Sequence, residues 1–199
     1  MSNGANGLRE RRVLATSRAL RVEARRLTAE RGMSGFTIEQ LCSEVGVSRR
    51  TFFNYFASKE NAVIGIPVRA DASDLEEDFA SSASPRDELV DEFAELMIAR
   101  WERMDFNRDD IDELGQAFRR EPQLFAHFLE VAAQGERHDI ALVERREGFV
   151  PGDPRAATLV QLLGALIRPA MTEYFEQNSE DFRTLFLRRL AVARELLTR

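Results

Sequence analysis

The chain has 199 residues, 44% of them hydrophobic and 31% charged, a balance ordinary for a soluble globular protein. No apolar run approaches the roughly 20 residues of a membrane span, the polar start MSNGANG has no apolar leader core, and Cys42 is the sole cysteine, so a cytoplasmic protein without an intrachain disulfide or cysteine-based metal site is expected. The net charge of −6 is unevenly spread: residues 1–66 carry eleven Arg and Lys against six Asp and Glu, a net of +5, while residues 67–199 carry seventeen against twenty-eight, a net of −11, the asymmetry expected when only one end meets phosphates.

Residues 1–7 are small and polar and are expected to be disordered. From Leu8 to Arg31 a long helical pattern runs without proline, and Leu20, Ala24 and Leu27 form its inward stripe. Arg11, Arg18, Arg21 and Arg25 cluster on another side, where solvation of an exposed face is the expectation. Arg9, Arg11 and Arg12 are better placed to reach DNA as an N-terminal arm.

The stretch FTIEQLCSEVGVSRRTFFNYFASK, Phe36 to Lys59, contains three helix starts in succession. Thr37 and Gln40 make a capping box, and Phe36 with Leu41 a hydrophobic staple. Gly46 stops this first helix. Ser48 caps the second, with Val47 and Phe52 as its staple, and Ser58 caps a third that starts at Lys59. Two short helices joined by a tight glycine turn form a helix-turn-helix. On the second helix Phe52 and Phe56 fall together, facing Ile38, Leu41 and Val45. Arg50 and Asn54 fall on the opposite side, flanked by Arg49, Thr51 and Phe53. Such guanidinium and amide groups read guanine and adenine in the major groove. The third helix carries Ala62, Val63 and Ile66, and Pro67 is expected to end it.

The run GVSRRTFFNYFASKE resembles the signature of TetR-family regulators: Gly-Val-Ser, a short recognition helix, an aromatic run, then Ser-Lys-Glu. The run itself covers 15 of the 199 residues. It implies a DNA-binding head in which Arg49 or Arg50 reads bases while Thr37, Tyr55 and Lys59 hold phosphates, with Ser48, Thr51, Phe53 and Asn54 also at the interface. The family often has tyrosine where Phe53 stands, and the phenolic bond to phosphate is then lost here. The family's third helix also continues into the body, so Pro67 is a departure. The expected division is a helix-turn-helix DNA-binding domain at 1–66 and a helical ligand-binding and dimerisation domain at 67–199.

The rest of the chain reads as helices only, with no alternating strand pattern. Acidic residues 69–85 offer one or two turns around Leu75 and Phe79. A helix from Pro85 to Met104, capped by Ser84, has an apolar face of Leu89, Phe93, Leu96, Met97 and Trp101. Helices then follow over 109–119, 122–147 and 154–176, the last capped by Asp153 with Pro154 at its first position. Its segment LVQLLGALI is apolar nearly all round. A final helix, capped by Ser179, carries Phe182, Leu185, Phe186, Leu190, Ala193 and Leu197. The fold class is therefore all-α.

No catalytic set, metal site or cofactor fingerprint is indicated. His127 and His138 lie eleven apart with no companion ligands, and the acidic run Asp109, Asp110, Asp112, Glu113 lacks the calcium-loop pattern and reads as a solvated helix start. Cys42 reads as a small core residue. The aromatic body is read first as plain core; a pocket lined by Phe93, Met97, Trp101, Phe118, Phe125, Phe128 and Met171 is the sharper alternative, since TetR-like proteins usually bind a small effector there. Leu159, Leu162, Leu163, Leu166, Leu185, Leu190, Ala193 and Leu197 of the last two helices are the expected homodimer interface. The function expected is sequence-specific regulation of transcription on double-stranded DNA, as a repressor of a near-palindromic operator released by an apolar small molecule. An activator of the same family, or an all-helical enzyme or non-DNA interaction module, is the alternative.

Overall fold

The computed structural model describes residues 3–68, 72–104, 106, 108–176 and 180–197, and every regular element among them is helical. The chain forms two compact units, one from residues 1–71 with 104–130, the other from 72–103 with 131–199. The first unit extends the expected division after Ile66 by taking in a second, later stretch of chain.

In the first unit α1 (Asn3–Arg31) starts five residues before the expected Leu8, so Asn3 to Gly7 form its opening turns. One turn of 3-10 helix (Met33–Gly35) leads to α2 (Ile38–Val45). Both bonds of the Thr37–Gln40 capping box are present: the Gln40 amide donates to Thr37 Oγ1, and Gln40 Oε1 accepts from the Thr37 amide. Gly46, at φ 75°, turns the chain, and the Val47 amide returns to the Cys42 carbonyl. Then come α3 (Arg49–Tyr55), capped by Ser48, and α4 (Lys59–Ile64), capped by Ser58. Leu20, Ala24 and Leu27 of α1 are fully buried with Phe36, Leu41, Phe52 and Phe56 in one core. Each such large apolar side chain contributes roughly 1.5–3 kcal/mol by leaving water.

Gly65, not Pro67, ends α4. It adopts φ 91°, and the amides of Gly65 and Ile66 both reach the Asn61 carbonyl. A Cβ there would lie 2.8 Å from the Phe106 ring and 2.9 Å from Arg21 Cδ, so glycine is required twice over.

The later part of this unit is α7 (Arg108–Arg120) and the first turns of α8 (Pro122–Glu147). They bring Ala117 and Leu124 into the same core. They also overturn the solvated readings of Arg21, Arg25 and Asp110, because Arg21 (2% exposed), Arg25 (3%) and Asp110 (3%) form a buried network, while Asp112 and Glu113 of the acidic run stay exposed. Arg21 donates through Nε to Asp110 Oδ1 at 3.1 Å and through Nη1 to the Met104 carbonyl at 2.8 Å. Arg25 bonds Asp110 through Nη1 and the α4 carbonyl of Val63 through Nε at 2.9 Å. Burial, with Arg21 alongside, holds the Arg25 guanidinium below its ordinary value, although the Asp110 carboxylate opposes this.

The second unit contains α5 (Ser73–Ala80), α6 (Leu89–Met104) as far as Arg103, the rest of α8, α9 (Pro154–Glu176) and α10 (Phe182–Leu197). A 3-10 turn (Arg86–Glu88) precedes α6, which therefore starts at Leu89 and not at Pro85. Asp153 accepts the Arg155 amide and caps α9 as expected. Ser179 lies outside the described residues; Asp181 accepts the Thr184 amide at 2.8 Å and serves as the α10 cap. The core gathers Phe79, Phe93, Leu96, Ile98, Val143, Val160, Leu163, Phe182, Leu185, Phe186 and Leu190. The acidic α5 is held by ion pairs: Glu76 to Arg100 and His138, Asp74 to Arg103, Glu77 to Arg145.

Candidate nucleic-acid interface

The α2–turn–α3 pair presents one side of α3 to solvent because Phe52 and Phe56 anchor the other in the core. Arg49, Arg50, Phe53 and Asn54 are exposed, and Thr51 and Tyr55 are half-buried. Arg49 is occupied within the unit: its Nη1 donates to Glu39 Oε1 of α2, and its guanidinium stands 5.7 Å from the Phe53 ring centre. This accounts for Phe53 at a half-exposed position, as a ring that orients a cation. Arg50 has no partner among the described residues, so its full set of donors faces outward. Thr37 and Ser48 stand exposed at the starts of α2 and α3, each already accepting a backbone amide. Arg12 is exposed on α1, while the side chains of Arg9 and Arg11 lie outside the described residues.

Lys59 has a task that its sequence position does not reveal. Its ammonium donates to the carbonyls of Met33 and Phe36 and stands 5.1 Å from the Phe36 ring centre. It fastens the loop between α1 and α2 to the start of α4. Lys59→Ala is accordingly expected to lower the stability of the free protein by about 1.5–3 kcal/mol, the range for hydrogen bonds to a charged group, measured by chemical denaturation without DNA. A variant as stable as the wild type that lost only the salt dependence of DNA binding would return Lys59 to a purely phosphate-holding role.

Other polar side chains in this unit carry no motif. His127 Nε2 lies 2.6 Å from Asn61 Oδ1, joining α8 to α4, and Glu121 Oε1 accepts the Met33 amide at 2.9 Å. Burial and the nearby Glu39 carboxylate push the Cys42 thiol up, in keeping with a packing role. No group of metal-binding side chains occurs among the described residues, and none of their helices is long and apolar enough to cross a membrane.

A family model described as bacterial regulatory proteins, tetR family, matches residues 20–63, which run from the buried stripe of α1 through α2 and α3 into α4. The HTH-type transcriptional regulator TcmR of Streptomyces glaucescens is 26% identical over 189 residues, 90% of this chain and 81% of that protein. Residues 20–63 are thus similar to the tetR-family regulatory proteins, and the chain as a whole is similar to an HTH-type transcriptional regulator.

Elsewhere in the chain the expected sites are dispersed. Phe93, Met97, Trp101 and Met171 belong to the core of the second unit, where the Trp101 ring lies 4.7 Å from Phe182 and 6.2 Å from Tyr174. Phe118, Phe125 and Phe128 cluster in the first unit, with ring centres 5.6–6.4 Å apart, and Phe118 packs against that unit's core. The expected dimer residues also separate. Leu163 (2% exposed), Leu185 and Leu190 are filled in by their own chain and have no area left for a partner, which corrects their assignment to an interface. Leu159, Leu166 and Ala193 are half-buried, whereas Leu162 (51%) and Leu197 (74%) are exposed, as are Val192 and Leu196, which the sequence reading passed over.

Proposed function

We propose that this regulator works in the cytoplasm as a homodimeric repressor of a near-palindromic operator, and that an apolar small molecule bound in the second unit releases it. The observation that carries the proposal is the outward apolar edge of α9 and α10, where Leu162, Val192, Leu196 and Leu197 stand in water. Apolar side chains gathered on two adjoining helices favour a covering partner, and a two-fold copy is the commonest one. A second head then doubles the bases read, which a single seven-residue α3 needs for tight specific binding. Phe93, Met97, Trp101 and Met171 are the residues proposed to meet the effector; Phe118, Phe125 and Phe128 are kept as packing of the head.

The test is Leu162→Arg. It leaves the core intact, unlike a change at buried Leu163, and is expected to yield a folded monomer by light scattering at micromolar concentration with operator affinity lost. A Leu162→Arg protein that still dimerises and binds as the wild type does would refute the interface. Transcription in vitro from the bound promoter then separates repression, the expected result, from activation.

A further inference from the structure

Within the first unit, α1 and α7 enclose a cleft of roughly 600 Å³, a size that accommodates small organic ligands. Val22, Arg25, Arg26 and Ala29 line it from α1, and Glu113, Gln116, Ala117 and Arg120 from α7. The two sets repeat at the same three-, one- and three-residue steps, the period of one helix face. The helices are held together at both ends of this stretch. Arg21 and Arg25 grip Asp110 at one end, and Glu121 Oε1 accepts the Met33 amide at the other. Between these ties the facing side chains are small, Ala29 and Ala117, so the space is left unfilled.

The charges of the cleft are not equally committed. Arg25 is tied to Asp110 and lies 3.6 Å from Glu113, and Arg26 is hydrogen-bonded to Glu23 and Glu30. Arg120 has no partner among the described residues. Glu113, the lining carboxylate, lies seven residues from Arg120 along α7, about 10 Å at the α-helical rise, which exceeds the screening length of about 8 Å at physiological salt. An anionic head at Arg120 is thereby shielded from Glu113, whose own charge faces Arg25.

We infer that this cleft is a binding site for an apolar monoanion, a carboxylate or sulfonate whose head pairs with Arg120 and whose hydrocarbon lies over Ala29, Ala117 and Val22. The site is separate from the effector region proposed in the second unit and does not depend on it. Because both walls belong to the head, occupancy stabilises the packing of α1 on α7 and raises the melting temperature by linkage.

The full-length protein is titrated with 8-anilinonaphthalene-1-sulfonate and with its uncharged counterpart N-phenyl-1-naphthylamine. Arg120→Ala is expected to weaken the sulfonate by about tenfold or more, the scale of one charge-assisted bond, and to leave the neutral dye unchanged. Arg120→Lys should restore most of the loss, and Ala29→Trp, which fills the cleft from the solvent side, should weaken both dyes. Melting curves of the unliganded variants verify that each is folded, and comparison with the wild type separates this site from dye bound elsewhere. Unchanged sulfonate affinity in both Arg120→Ala and Ala29→Trp would overturn the proposal. So would equal weakening of the two dyes by Arg120→Ala, which would mark a packing effect without charge recognition.

Discussion

Asp110→Ala is expected to destabilise the DNA-binding unit by about 3–5 kcal/mol, the cost of removing one partner from a buried ion pair. Asp110 is the carboxylate that answers both Arg21 and Arg25, and all three side chains are shut away from water. Removing it takes away the buried carboxylate that lies between the two guanidinium groups and leaves the more exposed Glu113, 3.6 Å from Arg25, as a weaker counter-charge. Arg25 keeps its bond to the Val63 carbonyl and Arg21 its bond to Met104, so the secondary structure survives while the packing of α1, α4 and α7 loosens. Denaturant unfolding followed by circular dichroism measures the loss, and DNA affinity should fall with it. Asp110→Asn, which keeps the shape and part of the hydrogen bonding, should lie between wild type and Asp110→Ala. A loss below about 1 kcal/mol, the scale of an exposed pair, would show that water reaches the site.

Arg50→Ala should weaken binding to the specific site by about 1–3 kcal/mol and relax preference at one base pair, with non-specific binding much less affected. The structure sharpens the choice between the two adjacent arginines. Arg49 is already engaged by Glu39 and stacked near Phe53, whereas Arg50 is exposed and unengaged beside Asn54. Arg49→Ala is expected to cost less at the specific site and to disturb the α2–α3 contact instead. Gel-shift titrations against the operator and a scrambled duplex of equal length distinguish the two. Full retention of sequence preference by Arg50→Ala would move base reading to another side chain.

The helix-turn-helix was readable because its signals are local. Thr37 and Gln40 are three residues apart, Gly46 needs only its own φ, and the Phe52/Phe56 face follows from helical period. The Leu20–Ala24–Leu27 stripe is equally plain, but the buried face of α1 is wider than its apolar residues. Arg21, Arg25 and Thr28 sit next to it and are as buried. Nothing in α1 announces this, since the compensating Asp110 lies 85 residues beyond Arg25. A shorter separation hid Lys59 behind a familiar motif, because the carbonyls it binds, those of Met33 and Phe36, lie 26 and 23 residues before it around the 3-10 turn. Pro67 was credited with ending α4 because proline is the stronger breaker on paper, but the left-handed Gly65 acts two residues sooner. The circumference of α9 likewise gave no way to tell Leu163, which the body buries, from Leu162, which it leaves outside.

The unit that carries α3 is assembled from two stretches of chain, 1–71 and 104–130. A nascent polypeptide therefore cannot finish it when the signature has been translated. Until Asp110 emerges, Arg21 and Arg25 have no carboxylate to meet, and Ala117 and Leu124 have not yet covered the core. A fragment ending at Ile66 is expected to be a poor stand-in for the head, and the ribosome must pass the whole of α6 before the recognition helix acquires its final support.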